Sequence, residues 1–231
     1  MVHHNNNQED TSRKYEPDCF QLISREDLES LSENRTQLTY LKGETIFIQG
    51  AFAPHVLFIQ AGLVKVYLRT GRSKIQNLWL AGSGNFLAFS SMFGEKIYPY
   101  SALALKDSEL LMIEMESLRT LLKSNPEFSL RITSKNHGMQ EHLLDIITSL
   151  SYKQMRGKLA SSLLYLSSEP FHREQVFSYL SRQDIADFAS ISVESVIKFL
   201  KEFKEEGIIS LEGKNISLTD PDRLLDISKV G

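Results

Sequence analysis

The stretch from Leu180 to Phe203 constrains the fold most tightly, because it contains two helix starts separated by a short interruption. Ser181, followed three residues later by Asp184, predicts a helix N-cap with its capping-box partner. The apolar residues between 185 and 189 share one face of this first helix. Ser192 then lies where it can cap a second helix. The pattern therefore predicts two short helices joined by a tight turn.

The second helix of this pair is amphipathic. Apolar residues recur on its buried face at three- and four-residue spacing, at Val196, Phe199, Leu200 and Phe203. The opposite face carries Val193, Glu194, Ser195, Lys198, Lys201 and Lys204. Two short helices, the second opening with small polar side chains, are typical of a helix-turn-helix that lays its second helix in the major groove of DNA. An ordinary helical hairpin is the alternative, since the motif is short.

Two short strands are predicted after the second helix. Gly207 ends the helix, residues 208–211 and 216–218 form strands, and residues 212–215 form the tight turn between them. A hairpin directly after a helix-turn-helix predicts a winged helix. This arrangement strengthens the case for contact with DNA.

The first half of the chain has a different hydrophobic period. Residues 19–38 have helical spacing and predict an amphipathic helix or two. From Tyr40 the period is two. Short β-rich runs are interrupted by glycines where turns need positive φ, at Gly43, Gly50, Gly62, Gly71, Gly82 and Gly84. Strands at this spacing predict a small antiparallel sandwich or barrel.

A long helix is predicted between the two halves, from about residue 126 to 151. Alternating steps of four and three connect the residues of a coiled-coil seam, Ile132, Asn136, Met139, Leu143, Ile146 and Leu150. Asn136 is the kind of polar seam residue that fixes register in a parallel dimer. The alternative is a core helix packed against its own sandwich. We favour a homodimer, because half-site recognition by a helix-turn-helix calls for a two-fold partner.

Composition restricts the class of protein further. The 231 residues, 42% hydrophobic and 24% charged, fit a soluble globular chain of two modest domains. No apolar run is long enough to span a bilayer and no signal peptide is present, which predicts a cytoplasmic protein without a membrane partner. The single cysteine, Cys19, excludes an intrachain disulfide and a cluster held by four thiolates of this chain.

Charge and spacing give no support for an enzyme or a metal site. Residues 151–231 carry 11 Lys and Arg against 12 Asp and Glu, so affinity for DNA must come from local placement of charge. His137 and His142 lie off one face of a helix, and His3 and His4 are interpreted as tail. No nucleophile, base and orienting group can be assembled from the spacing, and no cofactor is identified.

Together these patterns predict an α+β chain in four parts. Residues 1–18 form a flexible tail and residues 19–125 a β-rich domain. Residues 126–151 form the dimerisation helix, and residues 152–231 form the winged helix-turn-helix domain.

The order of these parts and several local motifs resemble the Crp/Fnr family of bacterial transcription regulators. The motifs are YLKGETIFIQG at 40–50, LFIQAGLVKVY at 57–67, GNFLAF at 84–89, NPEF at 125–128 and the helix-turn-helix at 181–209. The resemblance implies an N-terminal jelly roll of the cyclic-nucleotide-binding type that senses a signal and reorients the DNA-binding domains across a homodimer. It also implies a contact with RNA polymerase.

The effector pocket that the resemblance implies departs from the family pattern. Its residues are Phe89, Ser90, Tyr100, Ser101, Leu143 and Leu144. Phe89 stands where cyclic-AMP-binding members have a glutamate, and Tyr100 stands where they have an arginine. A buried cyclic phosphate without an opposite charge costs several kcal/mol. Cyclic AMP is therefore not the expected effector, whose identity is unknown, and the pocket is either collapsed or shaped for an apolar ligand.

The DNA contacts transfer residue by residue from the same resemblance. Base contacts are expected from Val193, Glu194 and Lys198, with Val193 limited to an apolar contact such as a thymine methyl group. Phosphate contacts are expected from Ser181, Arg182, Gln183, Ser192, Ser195 and Lys201. The alternative is a small-molecule-binding regulatory protein that acts through protein contacts without sequence-specific DNA binding.

Overall fold

The computed structural model describes residues 35–71, 74–169 and 171–230. The predicted tail, most of the predicted N-terminal helix and Cys19 lie outside these residues. Residues 35–38 were included in that helical prediction, which is wrong there, because they belong to strand β1 (Arg35–Tyr40). The strand pairs with the last strand of the sheet, so that Leu38 faces Leu110.

The N-terminal part is an antiparallel β-roll, as predicted. After β1 come β2 (Thr45–Phe47), β3 (His55–Thr70), β4 (Lys74–Gly82), β5 (Phe86–Leu87) and β6 (Ser101–Glu114). The strand order is β1-β6-β3-β4, with β2 paired to β6 and β5 paired to β3. Apolar side chains on the long strands β3 and β6 point into the roll and form its core.

Gly62 is not a turn residue, contrary to the prediction. It lies within β3, where the pairing with β6 shifts register between Ile59 and Val64. Its φ is +122°, and a Cβ atom added there would lie 2.2 Å from Oγ of Ser108. Only glycine therefore allows β6 to approach β3 this closely at the bulge.

Two helices follow the roll, α1 (Met115–Ser124) and the long α2 (Pro126–Tyr152). Asn125 caps α2, its side chain accepting a hydrogen bond from the backbone N–H of Phe128, and Pro126 occupies the first helical position. The start of α2 packs on α1 and the roll, where Phe128 is completely buried.

The C-terminal part is the winged helix domain. It contains α3 (Met155–Leu166), α4 (Arg182–Ala189), α5 (Val193–Glu205), the wing strands β7 (Ile209–Glu212) and β8 (Asn215–Leu218), and α6 (Pro221–Val230). Helix α6 was not predicted, although Asp220 followed by Pro221 is a helix-start signal. Its Leu224 is fully buried in the core of this domain.

The two domains share one core cluster. Leu63, Leu80 and Leu105 of the β-roll pack with the buried residues of α3, α4 and α5. Across the described ranges, no helix is both long and apolar enough to cross a membrane. Within the same ranges, no group of His, Cys, Asp and Glu side chains is arranged to hold a metal ion.

Candidate nucleic-acid interface and effector pocket

Both helices of the predicted pair begin at the predicted caps. Ser181 Oγ accepts a hydrogen bond from Asp184 N at 3.0 Å, and the Asp184 carboxylate accepts from Ser181 N at 2.8 Å, which completes the capping box. Ser190, with φ of 53°, turns the chain between the helices. Ser192 caps α5 by accepting from Ser195 N at 3.1 Å. The prediction of a helix-turn-helix is confirmed in its local geometry.

The solvent-facing side of α5 defines the candidate recognition surface. Its members recur at steps of three and four residues, Glu194, Ile197, Lys198 and Lys201. Ile197 was not predicted to take part, yet 57% of it is exposed on an otherwise charged face. The sequence carried a signal, because Ile197 follows buried Val196 and so falls outside the apolar stripe of the helix.

Val193 is less available to DNA than predicted. It is half-buried and packs against the core of the winged helix domain. Part of its apolar surface is therefore used for folding. The exposed apolar side chain on the recognition surface is Ile197.

The charged groups of the recognition surface are accessible to solvent. The N–H groups at the start of α5 and the Ser192 hydroxyl lower the pKa of the exposed Glu194. Lys198 pairs with Glu202 at 3.9 Å and Lys201 with Glu205 at 3.7 Å. Exposed pairs of this length contribute little free energy, so both ammonium groups can exchange these partners for DNA.

Several predicted phosphate contacts already have partners within the chain. The Ser181 hydroxyl donates to Asp184 at 2.6 Å while accepting from its N–H, so it serves as a helix cap and has little capacity left for a phosphate. Gln183 donates to Asp187 at 2.8 Å. Arg182 donates to the carbonyl of Gly213 at 3.3 Å and so connects α4 to the turn of the wing.

Hydroxyl groups at the start of α5 are also engaged. Ser195 Oγ lies 3.1 Å from Ser192 Oγ and contacts the sulfur of Met155 at 3.7 Å. Ser192 remains exposed beside Glu194.

The helix-turn-helix is docked on the β-roll. Asp184 forms an ion pair with Lys65 of β3 in which both side chains are largely buried. Asn77 donates to the Asp184 carbonyl at 3.0 Å, and Gln76 donates to the Phe188 carbonyl at 3.3 Å. Burial alone raises the pKa of Asp184, but hydrogen bonds from Lys65 and Ser181 outweigh it, and the net pKa lies below its usual value.

A second contact joins the long helix, α3 and strand β4. The Tyr165 hydroxyl accepts a hydrogen bond from Leu80 N at 3.0 Å, and its ring stacks on His142 at 4.0 Å between centroids. His142 Nε2 lies 2.8 Å from the carbonyl oxygen of Leu78. Burial lowers the pKa of His142 and raises that of Tyr165.

The six residues predicted for the effector pocket do not line one cavity. Tyr100 fills the roll interior, where its ring contacts Trp79 at 5.0 Å and its hydroxyl accepts from Ala88 N at 2.8 Å. Burial raises its pKa to about 12. Ser101 is buried and accepts from Gln49 N at 2.9 Å.

The other predicted pocket residues lie elsewhere. Phe89 belongs to a separate cluster, where it contacts Phe86 and Phe93, and Ser90 is exposed. Leu143 packs on the roll, whereas Leu144 is 63% exposed. The assignment of these residues to one effector pocket stays a prediction. Tyr100 and Phe89 fill different parts of the β-roll.

The predicted dimer seam stays a prediction, and three of its six residues pack on the chain's own β-roll. Ile132 is 1% exposed in the cluster that joins α1 and α2 to the roll. Met139 and Leu143 pack on the roll core, and Ile146 lines a cavity at the domain junction. The side chain of Asn136 lies outside the described residues. Leu150, 37% exposed, retains free surface.

The exposed apolar side of α2 is displaced by one position from the predicted seam. Leu144 is 63% exposed and Ile147 is 59% exposed, and Leu150 continues the same row. Met155 at the start of α3 is 52% exposed. These side chains leave an apolar strip along the second half of the long helix.

A winged helix-turn-helix docked on an antiparallel β-roll defines a DNA-binding regulatory protein. Two domain models match the chain, that of the cyclic nucleotide-binding domain over residues 37–125 and that of the Crp-like helix-turn-helix domain over residues 157–227. The transcriptional activator protein Anr of Pseudomonas aeruginosa is 28% identical, over 88% of this chain and 86% of its own.

Two further similarities agree with these matches. The CRP-like cAMP-activated global transcriptional regulator of Mycobacterium tuberculosis is 25% identical, over 89% of this chain and 93% of its own. The solved structure of the c-di-GMP responsive global regulator CLP of Xanthomonas campestris has a TM-score of 0.72 at 20% identity, covering 84% of this chain and 99% of that one. The chain belongs to the Crp/Fnr family of transcription regulators.

Proposed function

We propose that this chain is a homodimeric transcription regulator that binds a palindromic operator through α5. The observation that carries the proposal is the exposed row of Glu194, Ile197 and Lys198 on a helix whose caps, turn and wing are all formed. A side chain row of this kind can contact base edges in the major groove.

The chemistry of the row supports base contact at specific positions. Glu194 is held as a carboxylate by the start of α5, and a carboxylate accepts a hydrogen bond from cytosine N4. Lys198 can donate to guanine O6 and N7. Ile197 offers an apolar contact to a thymine methyl group, the role that was expected of Val193. Among the predicted phosphate contacts, Arg182 and Lys201 carry a positive charge and are the ones we expect to contact the DNA backbone.

The homodimer is supported by the apolar strip of Leu144, Ile147 and Leu150. A strip of this length on a long amphipathic helix is stabilised by packing against a second copy of the same helix. Two-fold symmetry then gives two recognition helices and a palindromic site. By analogy with its named relatives, we further infer that the dimer acts with RNA polymerase in the cytoplasm.

The effector is not cyclic AMP bound in the β-roll. Tyr100, which the resemblance places at the position of the phosphate-binding arginine, fills the roll interior, and the resemblance places Phe89 at the position of the glutamate. The named relatives include regulators described as responsive to cAMP and to c-di-GMP, so the effector varies within the family. Titration calorimetry with cyclic AMP and cyclic GMP tests this point, and micromolar binding at one site per chain contradicts it.

Selection of bound sequences from a random DNA pool tests the function itself. We expect a palindromic consensus, and fluorescence anisotropy on the selected duplex should show an affinity that falls steeply with salt. Glu194→Ala should lower operator affinity by about 1 to 3 kcal/mol and relax preference at one base pair. Arg182→Ala is the matched comparison and should weaken all sequences alike.

The outcome also separates the proposal from its alternative. A dimer that binds neither the pool nor random duplex at low salt is a regulator that acts through protein contacts. Equal losses on specific and random DNA for Glu194→Ala would show that Glu194 does not contact bases.

A further inference from the structure

We propose that the effector site is a cavity at the domain junction, and that it takes a small amphipathic molecule with one anionic group. The cavity has a volume of about 430 Å³ and lies between β4, α2, α3, α4 and α6. Its walls therefore come from both domains. Volumes of this size and positions between domains are typical of small-molecule sites.

The floor of the cavity is apolar. Leu78 of β4 and Phe188 and Ala189 of α4 are buried, and Ile146 and Leu164 add apolar lining from α2 and α3. An apolar body is stabilised here in proportion to the surface that it removes from water.

One end of the cavity offers a cation. Lys153, just after α2, is half-buried, and its ammonium group donates to Ser161 Oγ at 2.7 Å. In the described part of the chain, no carboxylate lies within ion-pair distance of it. Ser161 in turn donates to the Gly157 carbonyl at 2.9 Å. Its hydroxyl is uncharged and does not neutralise the Lys153 ammonium group. An anionic group on the ligand would supply the missing opposite charge.

The remaining titratable groups fix the orientation of the ligand. Asp145 and His142 line the cavity from α2, about two and three turns before Lys153. Burial lowers the pKa of His142 and so disfavours its charged form, and the Asp145 carboxylate repels an anion. The anionic group of the ligand is therefore directed to Lys153 and the apolar body to Leu78 and Phe188.

A ligand in this cavity would act on the docking of the DNA-binding domain. It would contact the long helix, β4 and α4 together, next to the hydrogen bond from Leu80 N to the Tyr165 hydroxyl. A ligand that binds only the docked arrangement shifts the population towards it. This part of the inference rests on the proposed function, since it treats the ligand as an effector of DNA binding.

Two fluorescent probes with the same ring system test the site in the full chain. 1-Anilinonaphthalene-8-sulfonate carries one anionic group, and N-phenyl-1-naphthylamine lacks it. We expect one sulfonate site per chain and about tenfold weaker binding of the neutral probe, the effect of one charge-assisted hydrogen bond. Equal affinity for both probes would overturn the assignment of an anionic ligand.

Matched variants locate the binding. Lys153→Met keeps most of the side-chain stem. It should lower the affinity for the sulfonate probe about tenfold without changing the affinity for the neutral probe. Lys158→Met is the control, because the Lys158 ammonium donates to the Leu150 carbonyl at 3.1 Å and does not line the cavity. Ala189→Phe fills the cavity and should abolish the binding of both probes. Unchanged sulfonate binding in both Lys153→Met and Ala189→Phe would place the probe on another surface and overturn the proposal.

Two further measurements complete the test. Saturating sulfonate probe should slow hydrogen exchange of the Leu80 amide, and unchanged exchange contradicts a ligand that holds the domains together. Random-duplex binding without probe is measured for each variant. A wild-type chain that binds random duplex but not the sulfonate probe contradicts this inference alone, whereas a wild-type chain that binds the probe but not DNA contradicts the proposed function alone.

Discussion

At the scale of single residues, the apolar contact on the recognition helix depends on which side of α5 a side chain faces. Val193 and Ile197 are both β-branched and lie one helical turn apart. Val193 packs against the domain core, whereas Ile197 is 57% exposed. Substitution of the two residues should therefore separate folding from DNA binding.

Ile197→Ala should weaken operator binding by about 1 kcal/mol while leaving the melting temperature within a degree or two of wild type, since the residue lies outside the core. Val193→Ala should lower the free energy of unfolding by about 1 kcal/mol because it removes buried methyl groups. Anisotropy on the selected operator and urea unfolding check both. Loss of unfolding free energy in Ile197→Ala would show that Ile197 is a packing residue.

Glu194 and Lys198 could be predicted from the sequence, because charged residues between apolar ones on a helix face the solvent. The exposure of Ile197 could be predicted as well, because it falls outside the apolar stripe of the helix, but the half-burial of Val193 could not. The cover over Val193 comes from the rest of the winged helix domain, which the local pattern does not contain.

Gly62 gives a second test at this scale. Gly62→Ala should lower the free energy of unfolding by about 3 kcal/mol or more, because a Cβ atom would meet Ser108 in addition to the strain of a positive φ. Gly50→Ala is the control, since its φ of +83° is strained but its Cβ would meet nothing within 4 Å. It should cost about 1 to 2 kcal/mol. If Gly62→Ala and Gly50→Ala lose similar free energies of unfolding in urea, backbone strain alone accounts for the effect of Gly62→Ala.

At the scale of elements, α2 has two apolar faces, and the predicted dimer seam lies mainly on the face that packs against its own chain. The heptad count follows the longer apolar row, which contains Ile132, Met139 and Leu143. That row packs on the β-roll of the same chain. The existence of the helix and its bounds could be predicted from periodicity, but the choice of face depends on tertiary contacts.

Ile147→Lys should convert the proposed dimer to a monomer, because it places a charge in the exposed apolar strip while the chain's own core is untouched. Ile132→Ala should leave the dimer intact but lower the free energy of unfolding by about 2 to 5 kcal/mol, as expected for a fully buried isoleucine. Light scattering after size exclusion and urea unfolding distinguish the two. A dimeric Ile147→Lys would mean that α2 does not form the interface.

At the scale of the whole molecule, the domains are connected by contacts that local sequence patterns cannot indicate. Lys65 and Asp184 are 119 residues apart, and Leu80 and Tyr165 are 85 residues apart. The capping role of Asp184 could be predicted from Ser181, three residues earlier. Its second role, as ion-pair partner of the β-roll, requires knowledge of how the domains pack.

Two groups at the domain junction should make stability depend on pH in separate ranges. Burial places the folded-state pKa of His142 below its ordinary value of about 6.5, so the unfolded chain binds more protons below that pH. Stability from neutral His142 is present above about pH 6.5 and is lost as the pH falls through the lower folded-state pKa. The lowered pKa of Asp184 acts in the same direction, but only below its unfolded value of about pH 3.9.

Melting temperatures between pH 8 and pH 3 therefore test the junction as a whole. Wild type should lose stability below about pH 6.5 and lose more below about pH 4. His142→Phe keeps a ring against Tyr165 and should remove only the loss of melting temperature that begins below about pH 6.5. Asp184→Asn should remove only the further loss below about pH 4. His172→Gln, at an exposed histidine, is the control and should follow the wild-type curve. If His142→Phe keeps the wild-type slope between pH 6.5 and 5, another group titrates there and His142 does not couple the long helix to the β-roll through its charge.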